Sequence, residues 1–407
     1  MIKTVLAPVT NDIIKIPASK SEVHRLLICA ALSDSTTKIF CDGTNEDIEA
    51  TAECLRALGA EITHKDGAFT VKPLCDVPEK PVLCCNESGS TLRFLLPVAA
   101  FFGKDTVFST KGRLGDRPLS PLKEELEGAG VTITKVSNEI RLSGKCNKTA
   151  FTIAGNVSSQ FISGLMFMLT KTGGEIEITG KTESRPYIEM TIDALRQFGC
   201  SISFIGNKIT VPKTSPLISP SEVKAGGDWS NSAFFLSAGI IGKNAITLTG
   251  LKADSVQGDK KIVDILREFG GRIEENEKGI TAYPSPLHGI TIDAGDIPDL
   301  VPVLSVVAAN AEGSTEIKSC GRLRLKESDR IEAVYNMIKN LGGKITVEND
   351  TIIIEGPALQ GGSIDSVNDH RIAMSGAIAA FASDGAVTIN GAEAVKKSYP
   401  TFWDEIR

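Results

Sequence analysis

The segment Leu195-Arg196-Gln197-Phe198-Gly199 returns later in the chain as Leu266-Arg267-Glu268-Phe269-Gly270. Both have the pattern of an amphipathic helix that ends at a glycine cap. The same pattern occurs at Leu55-Arg56-Ala57-Leu58-Gly59, Leu126-Glu127-Gly128-Ala129-Gly130 and Ile338-Lys339-Asn340-Leu341-Gly342. An alternating hairpin pattern follows each one, for example over Lys344–Ile354. These recurrences predict that the chain repeats one structural module.

A second series of glycines gives the period of the repeat. Strand-like stretches end in glycine at spacings of 69, 68, 70, 71 and 70 residues, at Gly43, Gly112, Gly180, Gly250, Gly321 and Gly391. An apolar helical run precedes each of these strands. The six runs are Val23–Leu32, Leu92–Phe102, Phe161–Leu169, Ala233–Ile241, Val301–Ala309 and Ile372–Phe381. Each module is therefore predicted to bury one helix and to expose another.

The sixth module ends at Arg407, before its hairpin. Residues 4–18, which are extended on both sides of Thr10-Asn11-Asp12, are predicted to supply that hairpin. A chain of 407 residues is also long enough for two domains. Residues 20–226 are predicted to form a first α/β domain of three βαβαββ modules. Residues 1–19 plus 227–407 are predicted to form the second, with the N-terminal hairpin completing its last module.

Composition excludes several classes of protein. A net charge of −6 argues against a nucleic-acid binder, which usually carries a basic excess. The sequence has no signal-peptide pattern and no 18-residue apolar span, so we expect a cytoplasmic protein without membrane contact. Nine cysteines without a C-x-x-C pair, and four histidines without metal-ligand spacing, predict neither a disulfide framework nor a metal site.

Polar and basic residues stand at the start of each predicted buried helix. They are Ser19-Lys20-Ser21, Ser88-Gly89-Ser90-Thr91, Ser158-Ser159-Gln160, Asp228-Trp229-Ser230-Asn231, Pro298-Asp299 and Asn368-Asp369-His370-Arg371. Ser, Thr, Asp and Asn are ordinary helix caps, and capping alone explains each one singly. A helix N-terminus also attracts anions through its unpaired N–H groups and partial positive charge. The neighbouring Lys and Arg residues favour anion binding.

Loops after the repeat glycines are basic as well. They contain Arg113 and Arg117, Ser184-Arg185, Arg322 to Arg330, and Lys396-Lys397. Arginine presents a planar fork that suits carboxylate and phosphate. No phosphate-binding glycine loop, dinucleotide fingerprint or serine-nucleophile motif is present. The residues alone therefore predict a two-domain enzyme without a cofactor, acting on small, highly anionic substrates.

The chain resembles the enolpyruvyl transferase family over its whole length. The resemblance lies in Pro17-Ala18-Ser19-Lys20-Ser21 with Arg25, Ser158-Ser159-Gln160, Ile297-Pro298-Asp299, Lys326-Glu327-Ser328-Asp329-Arg330 and Asp369-His370-Arg371. It implies a two-domain inside-out α/β barrel with the active site in the cleft between the domains. It also implies transfer of the enolpyruvyl group of phosphoenolpyruvate to the 5-hydroxyl of shikimate 3-phosphate, in the shikimate pathway of aromatic amino acid biosynthesis. No metal or organic cofactor is implied, and we expect a monomer.

The resemblance also implies roles for individual residues. Shikimate 3-phosphate would be held by Lys20, Ser21, Arg25, Ser158, Ser159, Ser184, Asp299 and Lys326. Phosphoenolpyruvate would be held by Lys20, Gly89, Arg113, Gln160, Arg330, Arg371 and Lys397. Asp299 would accept the proton of the 5-hydroxyl, and Glu327 would protonate the methylene carbon, with Lys20 as the other catalytic candidate. Two positions depart from the family pattern, namely Glu87 and Arg322.

Two alternatives stay open at the level of sequence. One is UDP-N-acetylglucosamine enolpyruvyl transferase, which usually has a loop cysteine near the position of Gly112; this chain has no cysteine between Cys85 and Cys146. The other is a non-catalytic relative that only binds anions. Retention of both Asp299 and Glu327 beside the basic residues argues against it.

Overall fold

The computed structural model of the protein describes residues 1–213, 216–357 and 359–407. The chain folds into two compact units. The N-terminal unit is Ala18–Ala225, and the C-terminal unit combines Gly226–Arg407 with Met1–Pro17. Each unit has its own hydrophobic core. Among the described residues, no helix combines the length and the apolar character needed to span a membrane.

The described residues form eleven α-helices. In chain order they are α1 Lys20–Leu32, α2 Glu46–Ala57, α3 Gly89–Phe102, α4 Leu122–Glu127, α5 Ser159–Thr172, α6 Arg185–Gln197, α7 Trp229–Ile241, α8 Ile262–Glu268, α9 Val301–Ala308, α10 Arg330–Asn340 and α11 His370–Ala379. Short 3-10 helices occur at Leu114–Asp116, Gly258–Lys261, Gly321–Leu325, Ala392–Lys397 and Phe402–Asp404.

The strands are short, as expected for small sheets that cover helices. In the order of the chain they are β1 Ile2–Val5, β2 Ile13–Lys15, β3 Thr37–Phe40, β4 Glu61–Lys65, β5 Ala68–Lys72, β6 Val82–Asn86, β7 Thr106–Thr110, β8 Val131–Val136, β9 Glu139–Gly144, β10 Ala150–Ala154, β11 Gly174–Thr179, β12 Ser203–Ile205, β13 Lys208–Val211, β14 Glu222–Lys224, β15 Ile246–Thr249, β16 Arg272–Asn276, β17 Gly279–Tyr283, β18 Thr291–Asp293, β19 Gly313–Lys318, β20 Lys344–Glu348, β21 Thr351–Gly356, β22 Gly362–Asp365 and β23 Val387–Asn390.

Six small mixed sheets repeat one arrangement, with three sheets in each unit. The sheet β6-β7-β9-β8 is typical: β6 and β7 are parallel and joined through the buried helix α3, and β8 and β9 form an antiparallel hairpin. The other orders are β10-β11-β13-β12, β14-β3-β5-β4, β16-β17-β15-β2, β18-β19-β21-β20 and the three-stranded β1-β23-β22. The predicted module is therefore confirmed as the building unit of a mixed α/β fold.

In five of the six modules the two kinds of α-helix differ in burial, as predicted; in the sixth, the described residues after β23 form only the 3-10 helices Ala392–Lys397 and Phe402–Asp404. The six apolar runs lie in α1, α3, α5, α7, α9 and α11, whose residues are buried on nearly every side. The second helices are amphipathic, and several are followed by a glycine with positive φ, for example Gly199 and Gly270. A left-handed residue at this position is accessible to glycine at little cost, which explains the recurring glycine of the sequence.

The predicted N-terminal hairpin over residues 4–18 is wrong. β1 pairs antiparallel with β23 and so completes the sheet of the sixth module. β2 instead pairs in parallel with β15, in the sheet of the fourth module. β2 precedes the buried helix α1, as β14 precedes α7, and β14 pairs with β3. The strands before α1 and α7 have thus exchanged sheets, so the two N-terminal strands have different partners.

Candidate functional site

In the C-terminal unit, one arginine lies at the centre of three carboxylates. Arg330, the first residue of α10, has a side chain with 0% exposure. Its Nε donates to Asp369 at 2.8 Å, its Nη1 to Asp299 at 2.7 Å and its Nη2 to Glu327 at 2.7 Å. An enclosed guanidinium needs partners of this kind, because an unpaired buried charge is costly. A ligand carboxylate can reach Arg330 only by displacing one of them.

Helix starts explain why these groups meet. Asp369 caps α11 by accepting from the backbone N–H of Arg371 at 2.9 Å, and it also accepts from Ser328 Oγ at 3.0 Å. Asp329 caps α10 in the same way, which places Arg330 at the first position of that helix. The two caps thus fix the starts of α10 and α11. Arg330, the first residue of α10, is thereby placed beside Asp369, the cap of α11.

Asp299 accepts from three cations. Its Oδ1 receives Lys326 Nζ at 3.2 Å and Arg330 at 2.7 Å, and its Oδ2 receives Arg371 Nη2 at 3.0 Å. Burial acts to raise the pKa of Asp299, but the charges of Arg371, Lys326 and Arg330 outweigh burial and hold that pKa well below its ordinary value. Asp299 is therefore ionised at neutral pH and able to accept a proton.

Lys326 is the most readily titrated cation of this cluster. Burial lowers the pKa of Lys326 to about 8, and the nearby Arg330 lowers it too, although Asp299 and Glu327 act in the opposite direction. The side chain keeps 21% exposure, so an anion can approach it. A lysine in this state changes charge close to neutral pH.

Lys397 joins the same group through the start of α11. Its Nζ donates to the backbone oxygen of Asn368 at 2.6 Å, directly before the cap Asp369. The residues predicted for the C-terminal unit are thus joined by direct contacts, except that Lys397 reaches them through the start of α11. These are Asp299, Lys326, Glu327, Arg330, Arg371 and Lys397.

Asp259 is a further carboxyl of this region that the sequence analysis missed. It is buried, and Ser230 Oγ, in the first turn of α7, donates to its Oδ2. Burial and the charge of Asp299 raise the pKa of Asp259 to about 6, against the influence of Arg371 and of the Ser230 hydrogen bond. No sequence motif distinguishes this residue, because only the fold brings the 3-10 helix Gly258–Lys261 to the start of α7.

In the N-terminal unit, the start of α1 carries the predicted catalytic lysine. Ser19 caps α1, and Lys20 Nζ forms a 2.9 Å ion pair with Asp47 on α2. Arg25, one turn further, is buried, and burial lowers its pKa to about 10. Its guanidinium donates to Ser21 O at 2.6 Å, Tyr187 O at 2.9 Å and Thr191 Oγ1 at 2.8 Å. Arg25 thus links the first turns of α1 and α6.

Gln160 connects the starts of α3 and α5. Its Nε2 donates to Ser90 Oγ at 3.0 Å, and its Oε1 accepts from Arg93 Nη1 at 2.8 Å. Arg93 also donates to Pro118 O at 3.1 Å. Arg93 could not be predicted as part of this network, because an arginine inside an apolar helical run gives no sign of its partner. Gly89 lies beside Ser90, so the structure brings the predicted Gly89 and Gln160 together.

The basic loop after Gly112 places Arg117, not Arg113, against Gly89. A Cβ atom at Gly89 would lie 2.7 Å from Arg117 Nη1, so a larger residue there would require this guanidinium to move. Arg113 is exposed. Glu87, one of the two departures from the family pattern, turns towards Gly112, where an added Cβ would lie 2.7 Å from its carboxylate.

The predicted serines lie at helix starts. Ser158 caps α5 by accepting from Gln160 N at 3.3 Å, and Ser159 is the first residue of that helix. Ser184 precedes α6 with a positive φ of 54° and is buried. Capping is confirmed at five of the six buried helices, through Ser19, Ser88, Ser158, Asp228 and Asp369. Within the described part of the chain, no group of three or more His, Cys, Asp or Glu side chains is arranged to hold a metal ion.

Comparison with known proteins gives one consistent result. The family model described as EPSP synthase (3-phosphoshikimate 1-carboxyvinyltransferase) matches residues 7–406. The 3-phosphoshikimate 1-carboxyvinyltransferase of Clostridium acetobutylicum is 42% identical over 97% of this chain and 94% of its own length. That of Clostridium kluyveri is 40% identical over the same shares.

Solved structures agree. EPSP synthase from Acinetobacter baumannii superposes with a TM-score of 0.81 at 26% identity, covering 99% of this chain and 97% of that one. The enolpyruvyl transferase NikO from Streptomyces tendae shares the fold, with a TM-score of 0.76 at 18% identity over 100% of this chain and 98% of that one.

Proposed function

The chain belongs to the EPSP synthase family, and on that premise we propose that it transfers the enolpyruvyl group of phosphoenolpyruvate to the 5-hydroxyl of shikimate 3-phosphate, releasing phosphate. The reaction belongs to the shikimate pathway, which supplies aromatic amino acids. The observation that carries the chemical part of the proposal is the group of Asp299, Glu327 and Lys326 around Arg330. It combines two carboxylates with cations that suit anionic substrates.

The proposed reaction has three proton transfers. Glu327, in its protonated form, gives a proton to C3 of phosphoenolpyruvate, which leaves a cationic centre at C2. The 5-hydroxyl oxygen bonds to C2, and its proton passes to Asp299. The C2–O bond to phosphate then breaks, and C3 returns one proton to the Glu327 carboxylate, so that the double bond returns in the product. Side-chain general acids and bases typically contribute a factor of about 10²–10⁴ to such steps.

Substrate binding can tune Asp299 as a base. With three cations bound to it, Asp299 has a pKa well below its ordinary value and is a weak base. The substrates carry two phosphates and two carboxylates, which compete with Asp299 for Lys326 and Arg371. Loss of these contacts raises the proton affinity of Asp299 when the 5-hydroxyl must be deprotonated.

Residue roles follow the sequence assignment, with one addition, Arg117, and one change, at Arg25. We propose that phosphoenolpyruvate contacts the residues around Gly89 and Arg371, and that shikimate 3-phosphate contacts those around Ser21, Ser158 and Lys326. Arg113 keeps its assigned role, and Arg117 is added to the phosphoenolpyruvate contacts because it lies against Gly89. Arg25 acts through its links to Ser21 and α6.

Phosphate release tests the proposal. The purified protein is incubated with phosphoenolpyruvate and either shikimate 3-phosphate or UDP-N-acetylglucosamine. We expect release only with the shikimate acceptor, and Asp299→Asn should abolish most of it. Release with the nucleotide sugar would favour the sister enzyme, and no release with either acceptor would favour a binding protein.

A further inference from the structure

A buried chain of hydrogen bonds crosses the N-terminal unit from α1 through α2 to α3. Nδ1 of His24 lies 2.7 Å from Thr51 Oγ1, which lies 2.6 Å from Thr91 Oγ1. Thr91 Oγ1 in turn donates to Ser88 Oγ at 2.7 Å. All four side chains are buried. None of them belongs to the proposed substrate contacts, so the chain needs an explanation of its own.

The order of donors along this chain is determined from its end. Ser88 Oγ accepts both the N–H and the O–H of Thr91. A hydroxyl carries a single proton, so Thr91 must accept from Thr51, whose own proton is then used. Thr51 must therefore accept from His24, and His24 carries its proton on Nδ1. This assigns a proton to Nδ1 of His24.

The surroundings of His24 agree with a neutral ring. Burial lowers the pKa of His24 well below its ordinary value, and the neighbouring Lys20 and Arg25 lower it further. Nε2 is buried and has no hydrogen-bond partner among the described residues. A charged ring would need a second acceptor there. His24 therefore adds no positive charge to that of its neighbours Lys20 and Arg25 on α1.

The two ends of the chain lie beside two proposed substrate contacts. Lys20 is one helical turn before His24, and Asp47 is one turn before Thr51, so the Lys20–Asp47 ion pair and the His24–Thr51 bond are parallel links between α1 and α2. At the other end, Ser88 caps α3 immediately before Gly89. The hydrogen-bond chain thus connects the helix turns that carry Lys20 and Gly89.

We propose that His24, Thr51 and Thr91 are positioning residues that fix Lys20 relative to Gly89 for phosphoenolpyruvate. The proposal rests on the proposed function. The hydroxyl chain has one donor order, and it links three helix segments without adding charge. A displacement of the reacting groups by about 1 Å can reduce an enzymatic rate as much as 10²-fold.

The first test is nitrogen NMR of the histidine rings in wild-type protein, with His24→Asn to assign the His24 signals. We expect a neutral ring at pH 7 with the proton on Nδ1, and Thr51→Val should shift the Nδ1 signal. A proton on Nε2, or a charged ring, would overturn the inferred donor order. This measurement does not depend on turnover.

The second test compares kinetics per folded molecule, with the folded amount measured by near-UV circular dichroism. Thr51→Val should lower kcat/KM for phosphoenolpyruvate about 10- to 100-fold, and Thr51→Ser, which keeps the hydroxyl, should return it to within about threefold of wild type. The matched control is Thr170→Val, because Thr170 is buried in the same unit and donates only to Phe167 O at 2.7 Å. It should leave kcat/KM unchanged.

The outcomes separate the two proposals. If Thr51→Val is less stable than wild type but has the same kcat/KM, the hydrogen-bond chain is only structural and the positioning role is wrong. If wild type has the expected histidine signal but no turnover, the proposed function fails, and the positioning role fails with it. Normal turnover with the wrong tautomer refutes the hydrogen-bond chain alone.

Discussion

The affinity for shikimate 3-phosphate should fall as the pH rises through about 8, because Lys326 loses its charge there. The pKa of Lys326 lies at about 8 instead of its ordinary 10.5, chiefly through burial. The phosphate of the ligand is already a dianion above pH 7, since its second pKa is about 6. Ligand protonation therefore does not change over the range that matters.

The size of the effect follows from the titration of one group. If only charged Lys326 binds, the apparent Kd increases by the factor 1 + 10^(pH − pKa), which is about 1.1 at pH 7 and about 11 at pH 9 for a pKa near 8. A lysine with the ordinary pKa would change affinity by roughly 3% at pH 9. The two cases thus differ by about tenfold.

Isothermal titration of shikimate 3-phosphate at pH 7, 8 and 9 and constant ionic strength measures this change. Lys326→Arg is the matched control, because guanidinium stays charged throughout the range. Its affinity should not vary with pH, whatever its absolute value. A wild-type Kd that is constant from pH 7 to 9, or the same decline in Lys326→Arg, would refute the reasoning.

Two further predictions concern the same unit. Arg371→Ala should weaken phosphoenolpyruvate binding at least about tenfold, since a charge-assisted bond contributes about 1.5–3 kcal/mol. It should weaken shikimate 3-phosphate binding less. Equal losses of affinity for both ligands in titrations would reject the assignment of Arg371 to phosphoenolpyruvate. For Asp259→Asn, the free energy of unfolding relative to that of wild type should increase as the pH rises from 5 to 8. The folded pKa of Asp259, about 6, exceeds the ordinary 3.8, so wild type loses stability as the pH rises through about 6. Between pH 5 and pH 8 this loss should be on the order of 1 kcal/mol, measured by urea unfolding. Identical pH dependence of the two proteins would contradict this.

The module could be predicted from the sequence because its signals are local. Glycine caps and apolar helical runs reflect backbone conformation and burial within a few residues, and they gave the positions of all six buried helices. The partner of a strand is not a local property. β1 and β2 look like one hairpin in sequence, but they join sheets whose other strands lie more than 200 residues away.

The site shows the same division between local and distant information. Lys326, Glu327, Arg330 and Arg371 lie in motifs and could be predicted, and the structure brings them together. Arg117 lies in the same basic loop as Arg113, and its contact with Gly89 could not be predicted from the sequence, because it depends on how the loop folds over the start of α3. The contact of Ser230 with Asp259 likewise depends on tertiary packing alone.

The central claim is that Glu327 protonates C3 of phosphoenolpyruvate in a cluster organised by Arg330. Turnover in D₂O tests it directly, because a deuteron added to C3 is retained when the resulting methyl group loses another hydrogen. Wild type should yield product with deuterium in the enolpyruvyl methylene. Glu327→Gln should bind both substrates but incorporate deuterium about 10²–10⁴-fold more slowly. Incorporation at the wild-type rate in Glu327→Gln would contradict the account.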